Sequence, residues 1–427
     1  MASAALPFLN SRIAKNFAAL VILQGGNYLL PLALIPFLVR TLGLSTFGDW
    51  AFAGAFVAVF RTFVAYGFDL TATRAVSIRR EDRAFVGEVY TTVLLTRLVI
   101  FLVVCLVLIM LGLASANIQK VLALALLSML VLVGEAFFPI WLFQGMERMS
   151  AITQLRLGYR ALFVVTTMLV VRGPDDVFLI PLIEAAGSLG AGLVAMRWAY
   201  ARYSLPLKWP RPSFAAQHIR DGASVFISNV AVHFYTTINT VLLGVLASPI
   251  AVAQFSIAEK VYFAVRGMLG PVVQAVFPTL SRLAVNDVKA FQRAARLLSL
   301  LLFGCLLLLA GAIFLLSDWI VRLIAGAPDP VAARTLQILA VALCFAMGSI
   351  FSALLVAEKK DKLLVRVTFI TMVANLIVVG PLTHYFGVAG AAFALLITQI
   401  FHVAVQVLVN RSLLFRPPRT ASTEPAV

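Results

Sequence analysis

Twelve stretches of mostly apolar residues, each about twenty residues long, follow one another along the chain. A helix needs about 20 such residues to cross the hydrocarbon core of a bilayer. Of the 427 residues, 62% are hydrophobic and 12% are charged, an apolar excess that a soluble core does not absorb. The apolar run over 93–113 lacks the alternation of a barrel strand. The sequence therefore predicts an all-α, polytopic membrane protein.

The spacing of the apolar stretches predicts twelve transmembrane helices in two halves of six. We place the spans at 15–39, 47–71, 87–111, 119–142, 151–171, 176–197, 221–246, 251–277, 294–316, 332–356, 363–381 and 386–410. Pro206, Pro210 and Pro212 lie among basic residues in the one long connection, which indicates an extended linker. This linker, over 201–218, separates an N-terminal lobe at 1–200 from a C-terminal lobe at 219–427.

The distribution of loop charges predicts the orientation. Of the 34 Lys and Arg residues, 24 fall at the two ends of the chain and in the even-to-odd loops, against five in the opposite loops. Cytoplasmic loops carry the excess of Lys and Arg. We therefore expect both termini in the cytoplasm, a prediction that reporter fusions at either end would test. This placement also accounts for most of the net charge of +16 without a nucleic-acid partner.

The sequence offers no motif for chemistry in water. Cys105, Cys305 and Cys344 all lie in apolar runs and show neither a disulfide pattern nor metal spacing. There is no Gly-Lys-Ser/Thr phosphate loop and no histidine pair at metal spacing. A membrane-embedded glycosyltransferase or polymerase would need catalytic groups on a sizeable loop, which the chain lacks. We therefore expect no enzymatic activity, no metal and no cofactor.

Five basic residues lie inside the apolar stretches: Arg61, Arg97, Arg160, Lys260 and Arg266. A charge at a helix centre costs about 2.5–3.5 kcal/mol on insertion scales, so such side chains face the bundle interior or a wet cavity. A guanidinium stays charged, and its planar fork matches phosphate oxygens. We expect these residues to line a solvated cavity that attracts an anion. Internal ion pairs that hold helices together are the alternative reading.

Acidic and neutral polar residues share these stretches. Glu135, Glu259 and Asp69 are candidate proton or cation sites, or simply the ion-pair partners of the buried cations. In the seventh span, polar residues recur on one helix face at Asn229, His233, Thr236 and Thr240. In the twelfth span, a second polar face has Gln399, His402 and Gln406. Such stripes line a water-accessible lumen or form hydrogen bonds between helices.

Four blocks of sequence carry a resemblance to a known family. They are FGDWAFAGAFVAVFRTFVAYGFDLTATR (47–74), PIWLFQGMERM (139–149), GPDDVFLIPLIEAAGSLGAGL (173–193) and FSIAEKVYFAVRGMLGPVVQAVFPTLSR (255–282). In this order they resemble segments of the Wzx-type, O-antigen repeat-unit flippases of the MOP transporter superfamily. The chain departs from many relatives at Asp69, where we would expect Asn.

The resemblance implies a MATE-like, V-shaped fold of two six-helix lobes in the bacterial inner membrane. It implies that a polyprenyl-pyrophosphate-linked oligosaccharide is flipped from the cytoplasmic to the periplasmic leaflet by alternating access through a cationic central cavity. It also implies coupling to a proton or cation gradient, contact with membrane lipids, and partnership with the glycan polymerase and chain-length proteins of the pathway.

Under this resemblance, the buried arginines and Lys260 would screen the pyrophosphate. Gln24, Asn27, Asn229 and His233 would contact sugar hydroxyls. A peptidoglycan-precursor flippase would use the same chemistry on a different glycan, but such relatives commonly have additional spans. A MATE-like multidrug exporter would more plausibly need an anionic cavity, which the surplus of buried cations disfavours.

Overall fold

A computed structural model describes residues 11–147, 149–206, 209–358 and 360–411, and almost all of them are helical. The helices are α1 (Ser11–Ala65), α2 (Phe68–Ile78), α3 (Arg83–Ala114), α4 (Ala116–Met129), α5 (Val131–Phe137), α6 (Ile140–Gly145), α7 (Met149–Val170), α8 (Leu179–Tyr203), α9 (Pro212–Leu246), α10 (Pro249–Gly267), α11 (Leu269–Asn286), α12 (Val288–Leu315), α13 (Ser317–Ala325), α14 (Pro330–Cys344), α15 (Gly348–Ala357) and α16 (Asp361–Val409). Short 3-10 turns lie at Pro174–Phe178 and Phe345–Met347.

The two longest helices each reverse direction at a glycine. Gly43 in α1 and Gly387 in α16 have φ of 76° and 55°, a left-handed backbone that glycine adopts without a Cβ penalty. Asn375 donates a hydrogen bond to Thr398 at 2.8 Å, although 23 residues of straight helix span about 35 Å. The two arms of α1 likewise line one cavity. Each helix therefore supplies two antiparallel crossings.

The helices account for all twelve predicted spans. Eight helical stretches of the described residues are long and apolar enough to cross a membrane, and two of them contain the reversals at Gly43 and Gly387. The other two predicted spans correspond to α7 and to α10 with α11. The prediction of an all-α, polytopic membrane protein is confirmed. The division into two lobes stays a prediction, and among the described residues of its linker only 204–206 and 209–211 lie outside helices.

Short polar caps and prolines set the helix boundaries. The Ser248 hydroxyl accepts a hydrogen bond from the Ala251 amide at 3.3 Å, and Pro249 occupies the first turn of α10. Asp329 caps α14 in the same way. Near the end of the fourth predicted span, Pro139 separates α5 from α6, because proline cannot continue the hydrogen-bond ladder.

One helix was not predicted. α13 is a nine-residue amphipathic helix that joins the ninth and tenth spans. Val321 and Ile324 are buried, whereas Trp319 and Leu323 are exposed. The helix is too short to cross a bilayer, and its exposed apolar face fits the membrane interface.

The second arm of α1 packs closely against α9 and α10 on the predicted outer side, and a glycine lies at each contact. A Cβ atom at Gly48 would overlap the Pro249 carbonyl oxygen, and one at Gly244 would overlap the ring of Phe52. Arg40 also donates a hydrogen bond to the Leu323 carbonyl at the end of α13. These contacts join the part of the chain before the linker to the part after it.

Gly48→Ala is expected to lower the free energy of unfolding by about 1–3 kcal/mol, because the added methyl meets backbone that cannot rotate away. The measurement is the melting temperature of the detergent-purified protein, followed by intrinsic fluorescence. Gly304→Ala in α12 is the matched control, since nothing lies within 4 Å of its Cβ position. An unchanged melting temperature in Gly48→Ala would show that the contact is not tight.

Candidate functional site

Two adjoining cavities lie between helices from both parts of the chain. The central cavity, of about 400 Å³, is lined mainly by α1, α7, α9 and α10. The inner cavity, of about 340 Å³, is lined by α1, α2, α3, α7 and α9 together with the α5–α6 break. Arg61 and Arg160 line both cavities, so the two form one polar hollow.

Four of the five predicted cations line this hollow. Arg61 and Arg160 face both cavities, Arg97 faces the inner one, and Lys260 faces the central one. The structure places Arg266 elsewhere, with its guanidinium carbon 6.0 Å from the ring centres of both Tyr262 and Phe263. Arg266 is two helical turns beyond Glu259, which carries it about 10 Å along α10 and past the described lining of the cavities.

The Arg61–Glu135 ion pair lies open to the hollow. The Nε atom of Arg61 donates to Oε2 of Glu135 at 3.0 Å. The Arg61 side chain is 45% exposed and the Glu135 side chain 25%. The guanidinium therefore has further N–H donors that can reach a molecule in the cavity while one is held by the carboxylate.

The Arg97–Asp69 ion pair is packed differently. An Nη atom of Arg97 donates to Oδ1 of Asp69 at 2.8 Å, but the Arg97 side chain is only 4% exposed. Among the described residues, the Nε of Arg97 has no hydrogen-bond partner. Asp69 thus holds Arg97 in the wall of the inner cavity, which fits the alternative prediction of internal ion pairs. The Asp69 carboxylate itself is exposed to the cavity.

Glu259 is buried in the wall of the central cavity. Its Oε1 accepts a hydrogen bond from the Thr240 hydroxyl at 2.9 Å. Thr240 belongs to the polar stripe of α9, and Asn229 and His233 from the same stripe line the inner cavity. Three of the four stripe residues therefore line the hollow, whereas the Thr236 hydroxyl donates to backbone carbonyls of α9 itself. The side chains of Gln24 and Asn27, the two candidates in the first span, lie outside the described residues.

The polar stripe of the twelfth span serves helix packing instead. The hydroxyl of Thr371 lies 3.0 Å from Nδ1 of His402, and the amide of Gln406 donates to Ser352 at 3.0 Å. The first contact joins the two arms of α16 and the second joins α16 to α15, and His402 and Gln406 line neither cavity. This stripe follows the alternative reading of hydrogen bonds between helices.

Two charged residues of the hollow had not been selected as site residues. Arg156 lines the inner cavity, although its closeness to the fourth loop indicated a cytoplasmic position. Glu184, from α8, lines the central cavity. The spacing of Arg156, Arg160 and Phe163 at i, i+4 and i+7 places them on one face of α7, and this periodicity was the available signal.

The lining charges nearly balance. Among the described residues, five cationic and four acidic side chains line the two cavities. The hollow therefore carries a surplus of one positive charge when every group is ionised. An anionic ligand must compete with Glu135 and the other carboxylates for the guanidinium groups.

Comparison with known sequences identifies the family. The profile described as "Polysaccharide biosynthesis protein" matches residues 13–284. The chain belongs to this family. Over 413 residues it is 28% identical to a protein of Escherichia coli (strain K12) named "Putative O-antigen transporter", covering 94% of this chain and 97% of that protein. A protein of the same name from Shigella dysenteriae is 27% identical over 391 residues, covering 91% of this chain and 98% of that protein.

Solved structures of other membrane transporters show the same fold. The inward closed conformation of the lipid II flippase MurJ matches with a TM-score of 0.72 at 16% identity, covering 92% of this chain and 87% of MurJ. An inward-facing multidrug resistance MATE transporter of the MOP superfamily matches with a TM-score of 0.70 at 15% identity, covering 90% and 93%. The protein of the polysaccharide biosynthesis family described here thus has the MATE-like, multi-pass membrane fold.

Asp69→Ala is expected to destabilise the protein by about 1–3 kcal/mol, because it leaves the buried Arg97 guanidinium with an unmade hydrogen bond and no counter-charge. Asp69→Asn should cost less, since the amide oxygen still accepts the hydrogen bond. The measurement is thermal unfolding in detergent. Asp69→Ala combined with Arg97→Met should recover part of the loss, and failure to recover any would contradict the pairing.

Proposed function

We propose that this protein flips a polyprenyl-pyrophosphate-linked oligosaccharide repeat unit across the bacterial inner membrane, from the cytoplasmic to the periplasmic leaflet. The supporting observation is the hollow shared by two cavities, in which Arg61 and Arg160 both face open space inside an apolar helix bundle. The names of the Escherichia coli and Shigella dysenteriae relatives support a glycan cargo.

The pyrophosphate is the part of this cargo that most needs the protein. Its charges are costly to move through hydrocarbon, and a guanidinium binds phosphate oxygens through paired N–H groups. Arg61 and Arg160 would hold the pyrophosphate, with Lys260 and Arg156 adding positive charge on either side. Polar groups on α9 would contact the sugars while the isoprenoid tail stays in the lipid between the lobes.

The Arg61–Glu135 pair suggests how the cargo is bound and released. Ionised Glu135 holds Arg61 at 3.0 Å and competes with the pyrophosphate for it. When Glu135 takes up a proton, Arg61 loses its counter-charge and becomes available to the cargo. Loss of that proton restores the ion pair and expels the pyrophosphate. In this scheme proton and cargo occupy the hollow together, so the flipping rate would depend on a pH gradient. Glu259 and Asp69 are the other acidic candidates for ion coupling.

Alternating access also requires the contact between α1 and α10 to open. Gly48 and Pro249 meet on the predicted outer side, where separation of the backbones would let the cargo leave. At this point the two backbones meet directly, so the contact is either closed or open. Such a contact suits a two-state transition. We expect both termini in the cytoplasm and cooperation with the polymerase and chain-length proteins of the same pathway.

A peptidoglycan-precursor flippase is the second candidate, because it would use the same lipid pyrophosphate chemistry and the MurJ fold matches. The names of the two full-length relatives favour the O-antigen type of glycan instead. A multidrug exporter for cations is disfavoured, since the described lining of the hollow has no surplus of negative charge to attract a cationic cargo.

Arg61→Ala is expected to slow flipping of a polyprenyl-pyrophosphate oligosaccharide at least about tenfold. A hydrogen bond to a charged group contributes about 1.5–3 kcal/mol, and 1.4 kcal/mol corresponds to a factor of ten. The measurement uses proteoliposomes loaded with fluorescent cargo and follows how fast the glycan becomes accessible to an added glycosidase.

Arg366→Ala is the matched control, since Arg366 is exposed on α16 at the predicted cytoplasmic side. It should keep the wild-type rate, and Arg61→Lys should keep part of it because the charge remains. Wild-type flipping by a folded Arg61→Ala protein would remove Arg61 from the mechanism.

Glu135→Gln is expected to keep flipping but to abolish the dependence of the flipping rate on a pH gradient, because the amide cannot exchange a proton with the cavity. The measurement compares rates in proteoliposomes with and without a gradient. Glu358→Gln provides the control, as Glu358 pairs with Lys360 in a loop far along the chain. A wild-type response to the gradient in Glu135→Gln would assign coupling to a different group.

A further inference from the structure

A third cavity lies at the ends of several helices, apart from the hollow. It has a volume of about 300 Å³, and Arg80, Arg83 and Arg202 line it together with Met146 and Leu205. It shares no lining residue with the central or the inner cavity. We call it the arginine cleft.

The arginine cleft forms where four helix ends meet. α2 ends at Ile78, α3 begins at Arg83, α6 ends at Gly145 and α8 ends at Tyr203. These ends belong to loops that the charge distribution assigns to the cytoplasm, so the cleft lies at the depth of the lipid headgroups of the inner leaflet.

The arginines of the cleft are available to an anion. Arg80 approaches Glu147 at 3.8 Å, but their side chains are 55% and 81% exposed, so the attraction is weak. Within the described part of the chain, Arg83 and Arg202 form no ion pair, and both are exposed. Glu81 is the one acidic residue that lines the cleft, against three cations.

The walls of the cleft are fixed by two unusual turns. Glu147 and Ser204 have φ of 58° and 49°, in the left-handed region that costs a non-glycine residue about 1–3 kcal/mol. Glu147 directly follows Met146, and Ser204 directly precedes Leu205. Met146 and Leu205 both line the cleft. Two strained turns thus border the same 300 Å³ of space, whose lining combines the buried apolar residues Val86 and Leu205 with three exposed arginines.

Buried apolar side chains beside exposed guanidinium groups are suited to binding an amphipathic anion. We propose that the arginine cleft binds the phosphate of a lipid headgroup in the inner leaflet. Either an anionic phospholipid or the pyrophosphate of a polyprenyl carrier supplies this chemistry. The site is separate from the proposed transport hollow and does not depend on the cargo assigned to it.

The test measures lipid binding by native mass spectrometry of the detergent-purified full chain. Phosphatidylglycerol, polyprenyl pyrophosphate and phosphate-free diacylglycerol are titrated separately. The triple variant Arg80→Gln, Arg83→Gln, Arg202→Gln is expected to bind at least one phosphate lipid tenfold or more weakly than wild type, with diacylglycerol unchanged. Arg202→Gln alone, at an exposed helix end, is expected to show a several-fold loss and serves if the triple variant does not fold.

The matched control removes the same charge elsewhere on the predicted cytoplasmic side, through Lys289→Gln, Arg293→Gln and Arg366→Gln, all at exposed positions. It should change binding less than about twofold. Loss of phosphatidylglycerol alone identifies a phospholipid site, loss of polyprenyl pyrophosphate alone identifies a carrier-lipid site, and loss of both shows that the phosphate is what is recognised. Unchanged binding of both lipids, or an equal loss in the control, would overturn the proposal.

Discussion

The cost of placing a charge in hydrocarbon governs this structure. Each cation in a span must face water, an acidic partner or both. Arg61 has both, since it pairs with Glu135 and remains open to the cavities. Arg97 has the partner and is nearly dry. The hollow lets these groups either reach open space or pair with an acid. The cations that reach open space are therefore the ones available to an anionic cargo.

The same requirement ties binding to conformational change. Residues of the hollow come from helices on both sides of the linker, with Arg61 and Arg160 before it and Thr240 and Glu259 after it. A movement that separates α1 from α10 changes the distances between these groups as well as the contact of Gly48 with Pro249. Under the proposed alternating access, charge pairing and helix packing would therefore change together.

Sequence reasoning failed where the helix face or the depth of a residue decided whether its side chain lines the hollow. Arg156 was counted only among the loop charges, yet it lines the inner cavity on the same face of α7 as Arg160. Arg266 lies within an apolar stretch like the other cations, yet its position on α10 carries it to the Tyr262 ring. α13 is too short and too mixed in composition to register as a span.

The sequence by itself determined the fold class, the twelve helical spans and the charges that had to be sheltered, because bilayer thickness and the cost of desolvation act on every residue locally. Only the tertiary structure decided which acid meets which cation. Glu135 lies 74 residues from Arg61, and Asp69 lies 28 residues from Arg97. Such pairs depend on how helices rotate and pack against one another, and no local pattern of residues contains that information.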